Sequence, residues 1–425
     1  MARAKGRRRR RRGWRGWVVR LLLWGTGAAV LLAAIAVGLL AVLGMPTYEV
    51  PTVKLEVEPT PARLSRGKHL VSMLCHRCHY DGRTGRLSGR ALEETITGLG
   101  TLRAPNLTRD AEHGIGDWTP GELALLLRTG LHPRREHLVP PPVMPRWPRM
   151  GEDDLRAIIA FLRSDDPWVA PHEGGPEATR YSLVAKIRAL VSWSPLPYPR
   201  EPVEAPSREE LEAYGEYLVD DLLQCSACHT GDGSEPERAE LHDSGDYLSG
   251  GAVTNDVNGV VLRAANLTPH STGLRDWTSE QLRRALVDGF GADDAVVRWP
   301  MPRYPAMEVH EVEAIYAYLQ TVSPVDDAVE PSPPYKMVGR KADGGRHLYM
   351  SHGCHYCHGE GGRALADLSG ANEDLPTDEE LVAFLEDPRR DDPFSIMPRW
   401  EGVIAADEYA ELCAHVRRLA AQSSP

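Results

Sequence analysis

The sequence predicts an all-α protein in which three tandem helical domains follow one N-terminal transmembrane helix. Three observations lead to this prediction: a long uncharged stretch near the N-terminus, a Cys-x-x-Cys-His pattern that occurs three times, and helical apolar patterns on both sides of each copy. The chain has 425 residues, of which 42% are hydrophobic, so it is long enough for several packed domains.

The N-terminal region combines a basic tail with an apolar segment. Residues 1–44 contain ten Arg and Lys residues and no acidic residue, and no charge occurs from Leu21 to Gly44. A helix of that length spans about 36 Å, enough to cross a bilayer. Because cations remain on the cytoplasmic side, we expect a single-pass helix in the inner membrane, with the tail in the cytoplasm and the remainder in the periplasm. A cleaved signal peptide is the alternative, although its apolar region would be unusually long.

The charge of the remaining chain has the opposite sign. The whole chain has a net charge of −11, so the part that follows the ten N-terminal cations carries −21. This balance argues against nucleic-acid binding and favours a basic partner.

The Cys-x-x-Cys-His pattern is the central feature of the sequence. Its copies begin at Cys75, Cys225 and Cys354, and the second cysteines are Cys78, Cys228 and Cys357. This spacing is the attachment signature of c-type haem. Two thiols bond to the two vinyl groups on one haem edge, and the next residue turns its imidazole onto the iron. The predicted iron ligands are therefore His79, His229 and His358, and the predicted cofactors are three covalently attached haems. Each of these histidines is expected to donate the proton of its other ring nitrogen to a backbone carbonyl, which fixes its tautomer and orientation.

Other uses of paired cysteines fit the sequence less well. A zinc site needs four ligands, often from two such pairs, and a thioredoxin-like pair belongs to a βαβ frame that is not apparent here. Structural disulfides would not explain the histidine that ends each copy. The seventh cysteine, Cys413, is expected to be a small packing residue of the last helix.

A second pattern follows each copy and predicts the sixth iron ligand. Met-Pro-Arg and an aromatic residue begin at Met144, Met301 and Met397. Met/His ligation raises the reduction potential of a haem. The neighbouring candidates do not recur at matching positions in all three domains; they are His137, Met150, Met307 and His310. The histidines at 69, 76, 113, 132 and 347 are expected at the surface.

Helical patterns set the domain limits. Each copy follows a Gly-x-(His/Tyr)-Leu pattern, at Gly67, Gly215 and Gly345, and an amphipathic helix follows each Met-Pro-Arg. The predicted organisation is a tail (1–16), a membrane helix (17–44), a linker (45–62), domain 1 (63–165), a linker (166–206), domain 2 (207–322), a linker (323–341) and domain 3 (342–422). An apolar stripe in the second linker, from Leu183 to Val191, is expected to tie two domains together, with the membrane or a partner as alternatives.

The order of helix, haem motif, Met loop and helix resembles class I cytochrome c, three times over. Domains 1 and 2 also share Asn-Leu-Thr, at Asn106 and Asn266, followed by Asp-Trp-Thr, at Trp118 and Trp277. These inserts resemble the tri-haem cytochrome subunits of membrane-bound alcohol, gluconate and related sugar dehydrogenases. Asn-Leu-Thr also fits a glycosylation sequon, but we expect both asparagines to hold loop backbone instead.

The resemblance implies an electron-transfer protein with no catalytic residues of its own. It would pass electrons one at a time from a dehydrogenase to a downstream acceptor of the respiratory chain. Alternatives are a tethered carrier between a quinol-oxidising complex and a terminal oxidase or soluble cytochrome, and a haem peroxidase, which would need an open iron site.

Overall fold

The structure is a computed structural model that describes most of the chain. The described residues are 16–32, 38, 44–92, 98–231, 242, 244–292, 294–326, 329 and 344–423. Most of the basic tail, parts of the predicted membrane helix and most of the third linker therefore lie outside the described residues.

The described N-terminal part forms a helix, α1, over residues 16–32. Its large apolar side chains are exposed, among them Leu22, Leu23 and Trp24. In the part of the chain that the structure describes, no helix is both long and apolar enough to cross a membrane.

The remainder of the described chain is mainly helical. Domain 1 contains α2 (Pro61–Leu74), α3 (His76–His79), α4 (Pro120–Thr129) and α5 (Glu152–Leu162), and α6 (Leu183–Val191) follows it. Domain 2 contains α7 (Leu211–Glu216), which continues as a π-helix (Tyr217–Leu222), then α8 (Ser226–His229), α9 (Ser279–Arg283), a second π-helix (Arg284–Asp288) and α10 (Val309–Leu319). Domain 3 contains α11 (Gly344–Ser351), α12 (His355–His358), α13 (Ala371–Asp374), α14 (Asp378–Glu386) and α15 (Tyr409–Ser423). Short 3-10 turns cover Pro167–Val169 and Pro388–Arg390.

Short antiparallel strand pairs lie in the loops of domains 1 and 2 and in the second linker. The strands are β1 (Arg90–Ala91), β2 (Gly100–Thr101), β3 (Arg103–Ala104), β4 (Arg180–Tyr181), β5 (Val253–Asn255) and β6 (Val261–Arg263). They pair as β1 with β3, β2 with β4 and β5 with β6. The class is therefore mainly helical with minor ribbons.

In each domain the helix before the motif crosses the helix after the Met loop. The pairs are α2 with α5, α7 with α10, and α11 with α15. The shared glycines lie at these crossings: a Cβ atom on Gly67, Gly215 or Gly345 would lie 2.0 Å from a backbone oxygen of the facing helix. The sequence pattern therefore requires glycine because the two helix backbones approach too closely to leave room for a side chain.

Domains 1 and 2 share one hydrophobic core, whereas domain 3 has its own. Leu70 and Ile158 of domain 1 belong to the same buried cluster as Leu218 and Ile315 of domain 2. The core of domain 3 includes Cys413, which is fully buried, as expected for a packing residue.

A buried polar network also joins domains 1 and 2. The Nε2 atom of His69 lies 2.8 and 2.9 Å from the carboxylate oxygens of Glu311, which is fully buried. Arg66 donates to Asp154 at 2.8 Å and to Glu311 at 3.2 Å. Because these charges are paired inside the interface, removing one partner would leave the others uncompensated.

The second predicted linker is more structured than expected. This linker contains β4 and α6. In addition, its Val203 carbonyl accepts a hydrogen bond from the Glu152 amide of domain 1. The buried face of α6 packs through Ala185 against Leu92, Leu99 and Leu102 of the same domain. The expectation that the stripe ties two domains together is therefore wrong, because its buried contacts lie within domain 1.

Candidate functional site

Each Cys-x-x-Cys-His copy occupies one short helix turn. The first cysteine caps the turn, and the histidine is its last helical residue, in α3, α8 and α12. Burial raises the pKa of Cys75, Cys225 and Cys354 to about 12, so these thiols are protonated at neutral pH.

The cysteines are arranged neither as disulfides nor as zinc ligands. All seven lie in the described part of the chain and are unpaired. Among the described residues, the group that brings three potential metal ligands within 4.8 Å of one another is Glu216, Asp220 and His242, which includes no motif residue. Two free thiols per motif fit the attachment of a haem by two thioether bonds.

The three motif histidines are oriented in the same way. The Nδ1 atom donates to a backbone carbonyl in each case: His79 to Pro105 at 2.9 Å, His229 to Ala265 at 2.7 Å and His358 to Ala366 at 2.8 Å. This confirms the expected tautomer and leaves Nε2 as the atom that can bind iron.

Burial keeps these imidazoles neutral. It lowers the pKa of His79 to about 4, and it lowers the pKa of His229 and His358 as well. A neutral imidazole is the form that binds a metal, so all three are ready ligands at neutral pH.

The Asn-Leu-Thr inserts fix two of the accepting carbonyls. Asn106 directly follows Pro105, is buried, and donates through Nδ2 to the carbonyls of His172 at 3.0 Å and Gly174 at 2.8 Å. Its Oδ1 atom accepts from the Thr108 amide at 2.8 Å. The insert therefore has the structural role expected for it.

Asn266 repeats this arrangement beside Ala265. Its Nδ2 atom donates to the Val325 carbonyl at 2.9 Å, and its Oδ1 atom accepts from the Thr268 amide at 2.8 Å. Domain 3 orients its motif histidine without an Asn-Leu-Thr insert. The carbonyl that accepts from His358 is that of Ala366, only eight residues later.

The predicted methionine ligands lie on half-buried loops beside the cores. Met144 and Met301 pack against the core shared by domains 1 and 2, and Met397 packs against that of domain 3. The backbone amide of Met144 donates a hydrogen bond to the Pro140 carbonyl at 3.1 Å, which holds Met144 in its loop.

The competing candidates have other roles. Met150 and Met307 are buried in the shared core. His310 lies 2.6 Å from the carbonyl of Arg208, and Nδ1 of His137 lies 3.1 Å from that of Leu138. These contacts favour the Met-Pro-Arg methionines as ligands.

The Met loop of domain 2 lies against the motif of domain 3. Arg303, two residues after Met301, donates to the carbonyl of Ile396 at 2.5 Å and interacts with the sulfur of Cys357. The Arg298 guanidinium stacks 4.0 Å from the ring of Tyr356, inside the third motif.

The Met loop of domain 1 lies against the motif of domain 2 in a similar way. Trp147 donates through Nε1 to the Leu222 carbonyl at 2.9 Å, and Gln224, directly before Cys225, donates to the Arg146 carbonyl at 2.6 Å.

The first motif completes the junction between the three domains. The Arg77 guanidinium lies 5.0 Å from the ring of Trp299 in domain 2, and the His76 ring lies 5.6 Å from Phe394 in domain 3. A small cleft at this junction is lined by all three domains, including Arg77, Trp147 and Ile396. Residues of all three domains therefore meet at this cleft, beside the first motif.

Some histidines differ from the surface expectation. His76 is buried and stacks on Tyr80 at 4.2 Å, and His69 is paired with Glu311. His113 and His347 are exposed, and His132 is half-buried. The sequence did not predict which three carbonyls accept these hydrogen bonds, nor the contacts at the junction, because backbone acceptors carry no residue signature.

Known proteins are similar to this chain over its motif-bearing regions. The family described as cytochrome c oxidase, cbb3-type, subunit III matches residues 62–162 and 340–416. The cytochrome c subunit of the quinone alcohol dehydrogenase of Gluconacetobacter polyoxogenes is 29% identical over 239 residues, which cover 53% of this chain and 49% of that protein. This chain thus spans about half the length of that relative.

Two further relatives carry similar descriptions. A diheme cytochrome c-type protein of Cereibacter sphaeroides is 30% identical over 221 residues, which cover 52% of this chain and 69% of that protein. The gluconate 2-dehydrogenase cytochrome c subunit of Pantoea cypripedii is 27% identical over 322 residues, which cover 66% of this chain and 67% of that protein.

Proposed function

The chain belongs to the c-type cytochromes, electron-transfer proteins that hold haem covalently, and on this premise we propose that it is the membrane-anchored, tri-haem subunit of a dehydrogenase complex. The observation that carries the proposal is the threefold repeat of a motif histidine whose Nδ1 donates to a backbone carbonyl. One oriented imidazole beside two free thiols is the donor set that a c-type haem requires, and the chain has three such sets.

In each domain two residues would hold the iron. His79, His229 and His358 would bind it through Nε2, and Met144, Met301 and Met397 would bind it through sulfur. When bound, the haem iron supplies one-electron exchange between its ferrous and ferric states. With a histidine and a methionine on each iron, no position would remain for a substrate, which argues against a peroxidase.

The packing at the junction of the three domains supports electron transfer from one haem site to the next within the chain. Each Met loop of domains 1 and 2 packs on the motif of the next domain, and the first motif contacts both other domains. This packing favours a relay of electrons through the three neighbouring sites.

The relatives indicate the kind of partner. Their names place them in dehydrogenases that oxidise alcohol or gluconate. By analogy, a flavin or quinone-cofactor dehydrogenase in the periplasm would deliver electrons to this chain, and the N-terminal apolar segment would hold it at the inner membrane. The exposed apolar side chains of α1 agree with an anchor.

Isolation of the full chain from native membranes tests the partner. We expect a dehydrogenase to co-purify and deletion of the gene to abolish oxidation of an alcohol or sugar by intact cells. Isolation of the cytochrome alone, together with unchanged oxidation by the deletion strain, would contradict the proposal.

A second candidate is a tethered carrier to a terminal oxidase. The similarity to the oxidase subunit family and the charge of −21 on residues 45–425 favour it. Fast electron delivery to an isolated oxidase, slowed by salt, would support this candidate.

Conservative methionine variants test the ligands. Met144→Leu, Met301→Leu and Met397→Leu should each change the absorption spectrum of one haem and lower its potential, because sulfur ligation raises the potential. Met150→Leu and Met307→Leu are matched controls of similar volume and should leave all spectra unchanged. A spectral change in a control, or none in a test variant, would reassign that ligand.

A further inference from the structure

Helix α6 has an apolar face with no protein partner among the described residues. Its buried residues are Ala185 and Ala189. On the other side, Val184 is 51% exposed, Leu190 54% and Val191 75%. With Ile187, these side chains form a stripe at helical spacing, which is unfavourable in contact with water.

The surroundings of α6 differ in charge from the rest of the periplasmic part. Residues 178–200 contain four cations and no acidic residue, although residues 45–425 together carry −21. Two of the cations, Lys186 and Arg188, lie on α6 itself. A helix with an apolar face flanked by cations is typical of one that lies at an anionic lipid surface.

The N-terminal segment joins the folded domains beside the end of α6. The Tyr48 hydroxyl donates to the carbonyl of Trp193, at 3.4 Å, two residues after α6 ends. The Tyr48 amide donates to the Glu136 carbonyl at 2.7 Å, which holds this segment on domain 1. Gly44, the last residue of the predicted membrane helix, is four residues from Tyr48, a distance of at most about 14 Å along the chain.

From these observations we propose that α6 lies in the headgroup region of the same membrane, with its apolar face inserted and Lys186 and Arg188 near lipid phosphates. This inference rests on the anchor of the proposed function. Domain 1 then has two attachments to the bilayer, the N-terminal helix and α6, which fix its orientation. An interfacial helix is buried about 5–10 Å into the boundary between headgroups and acyl chains, so side chains such as Leu190 would contact lipid directly.

Photo-crosslinking of the full chain tests this contact. A benzophenone amino acid replaces Ile187 or Leu190 in protein reconstituted into nanodiscs of phosphatidylethanolamine and phosphatidylglycerol. The same amino acid at Trp24 reports on the anchor, and at Val309, a residue that is 63% exposed in domain 2, it serves as a matched control. Intact-mass spectrometry then detects lipid adducts, and haem content confirms folding.

The outcomes separate this inference from the proposed anchor. We expect lipid adducts at Trp24, Ile187 and Leu190 and none at Val309. Adducts at Trp24 alone would overturn the placement of α6 and leave the anchor intact. Adducts at the two α6 positions without one at Trp24 would support α6 and contradict the anchor. In native membranes, a protein adduct in place of lipid at Ile187 would show that α6 docks a subunit and would overturn the inference.

Charge reversal offers an independent measurement. The double variant Lys186→Glu and Arg188→Glu should reduce the yield of lipid adducts at Leu190 by at least about tenfold, since each cation near an anionic surface contributes about 1 kcal/mol. An unchanged yield would contradict the proposed role of the two cations.

Discussion

Replacing Asn266 by alanine should loosen the haem site of domain 2 without touching the haem ligands. The side chain is 2% exposed. Its Nδ2 atom donates to the Val325 carbonyl at 2.9 Å, and its Oδ1 atom accepts from the amide of Thr268 at 2.8 Å and from its hydroxyl at 2.7 Å. The preceding residue, Ala265, supplies the carbonyl that orients His229.

The expected loss follows from the groups left without partners. Thr268 is fully buried, so water cannot replace the acceptor of its amide or hydroxyl. A buried group that loses its partner costs about 1–3 kcal/mol, whereas the half-buried Val325 carbonyl can be hydrated. We therefore expect Asn266→Ala to lower the free energy of unfolding by about 3 kcal/mol.

The same change should alter the second haem alone. An acceptor at Nδ1 raises the basicity of an imidazole ligand, which favours ferric iron, so a loosened Ala265 carbonyl should raise the potential of that haem. Guanidinium unfolding followed by circular dichroism, together with redox titration, would measure both effects.

A matched control isolates burial as the cause. Thr272 is exposed and also accepts a hydrogen bond from Asn266 Nδ2, at 3.0 Å. Thr272→Val removes that bond where water can replace it, so its effect should stay within about 0.5 kcal/mol. Equal destabilisation by Thr272→Val and Asn266→Ala, or an unchanged potential in Asn266→Ala, would refute the reasoning.

Further predictions concern the helix pairs that frame the sites. Glu311→Ala should lower the free energy of unfolding by about 3–5 kcal/mol, because His69 and Arg66 lose a buried partner. The control Asp153→Asn changes a carboxylate that is 89% exposed and should cost below about 1 kcal/mol. Burial acts to raise the pKa of Glu311, but its hydrogen bond to His69 and the nearby cations outweigh burial. The pKa of Glu311 is therefore lowered from its ordinary value of 4.5. The contribution of Glu311 is therefore complete above pH 4.5 and is lost as the pH falls, so acid titration should show a drop there that Glu311→Gln lacks; a drop of equal size in the variant would contradict this assignment. Gly215→Ala, which places a Cβ atom 2.0 Å from a carbonyl of the facing helix, should cost about 1–3 kcal/mol in denaturant unfolding, and Gly245→Ala, which meets no atom within 4 Å, should cost less; equal costs would argue against close approach.

The sequence predicted the features that depend on residue type at fixed spacing. The recurring glycine pattern located the helix before each motif, and the structure shows that Gly67, Gly215 and Gly345 lie where two helix backbones touch and only glycine fits. The motif histidines were identified because haem attachment demands one spacing of three side chains. These requirements are local, so they remain visible in a single sequence.

Features that depend on backbone atoms or on domain packing could not be predicted in this way. The carbonyl that accepts from the motif histidine lies 26 residues after His79, 36 after His229 and 8 after His358, so no common spacing exists. Likewise, the surface expectation for His69 was wrong because its partner, Glu311, is 242 residues away in another domain. The side chain of His69 itself gives no sign of a distant acid.

The number of covalently held haems tests the central claim most directly. Intact-mass spectrometry and a pyridine haemochrome assay of the full chain, after denaturation and acid–acetone extraction, should find three haems retained. The double variant Cys225→Ala and Cys228→Ala should retain two. Loss of the haem on extraction, or fewer than three in the unaltered chain, would contradict the account.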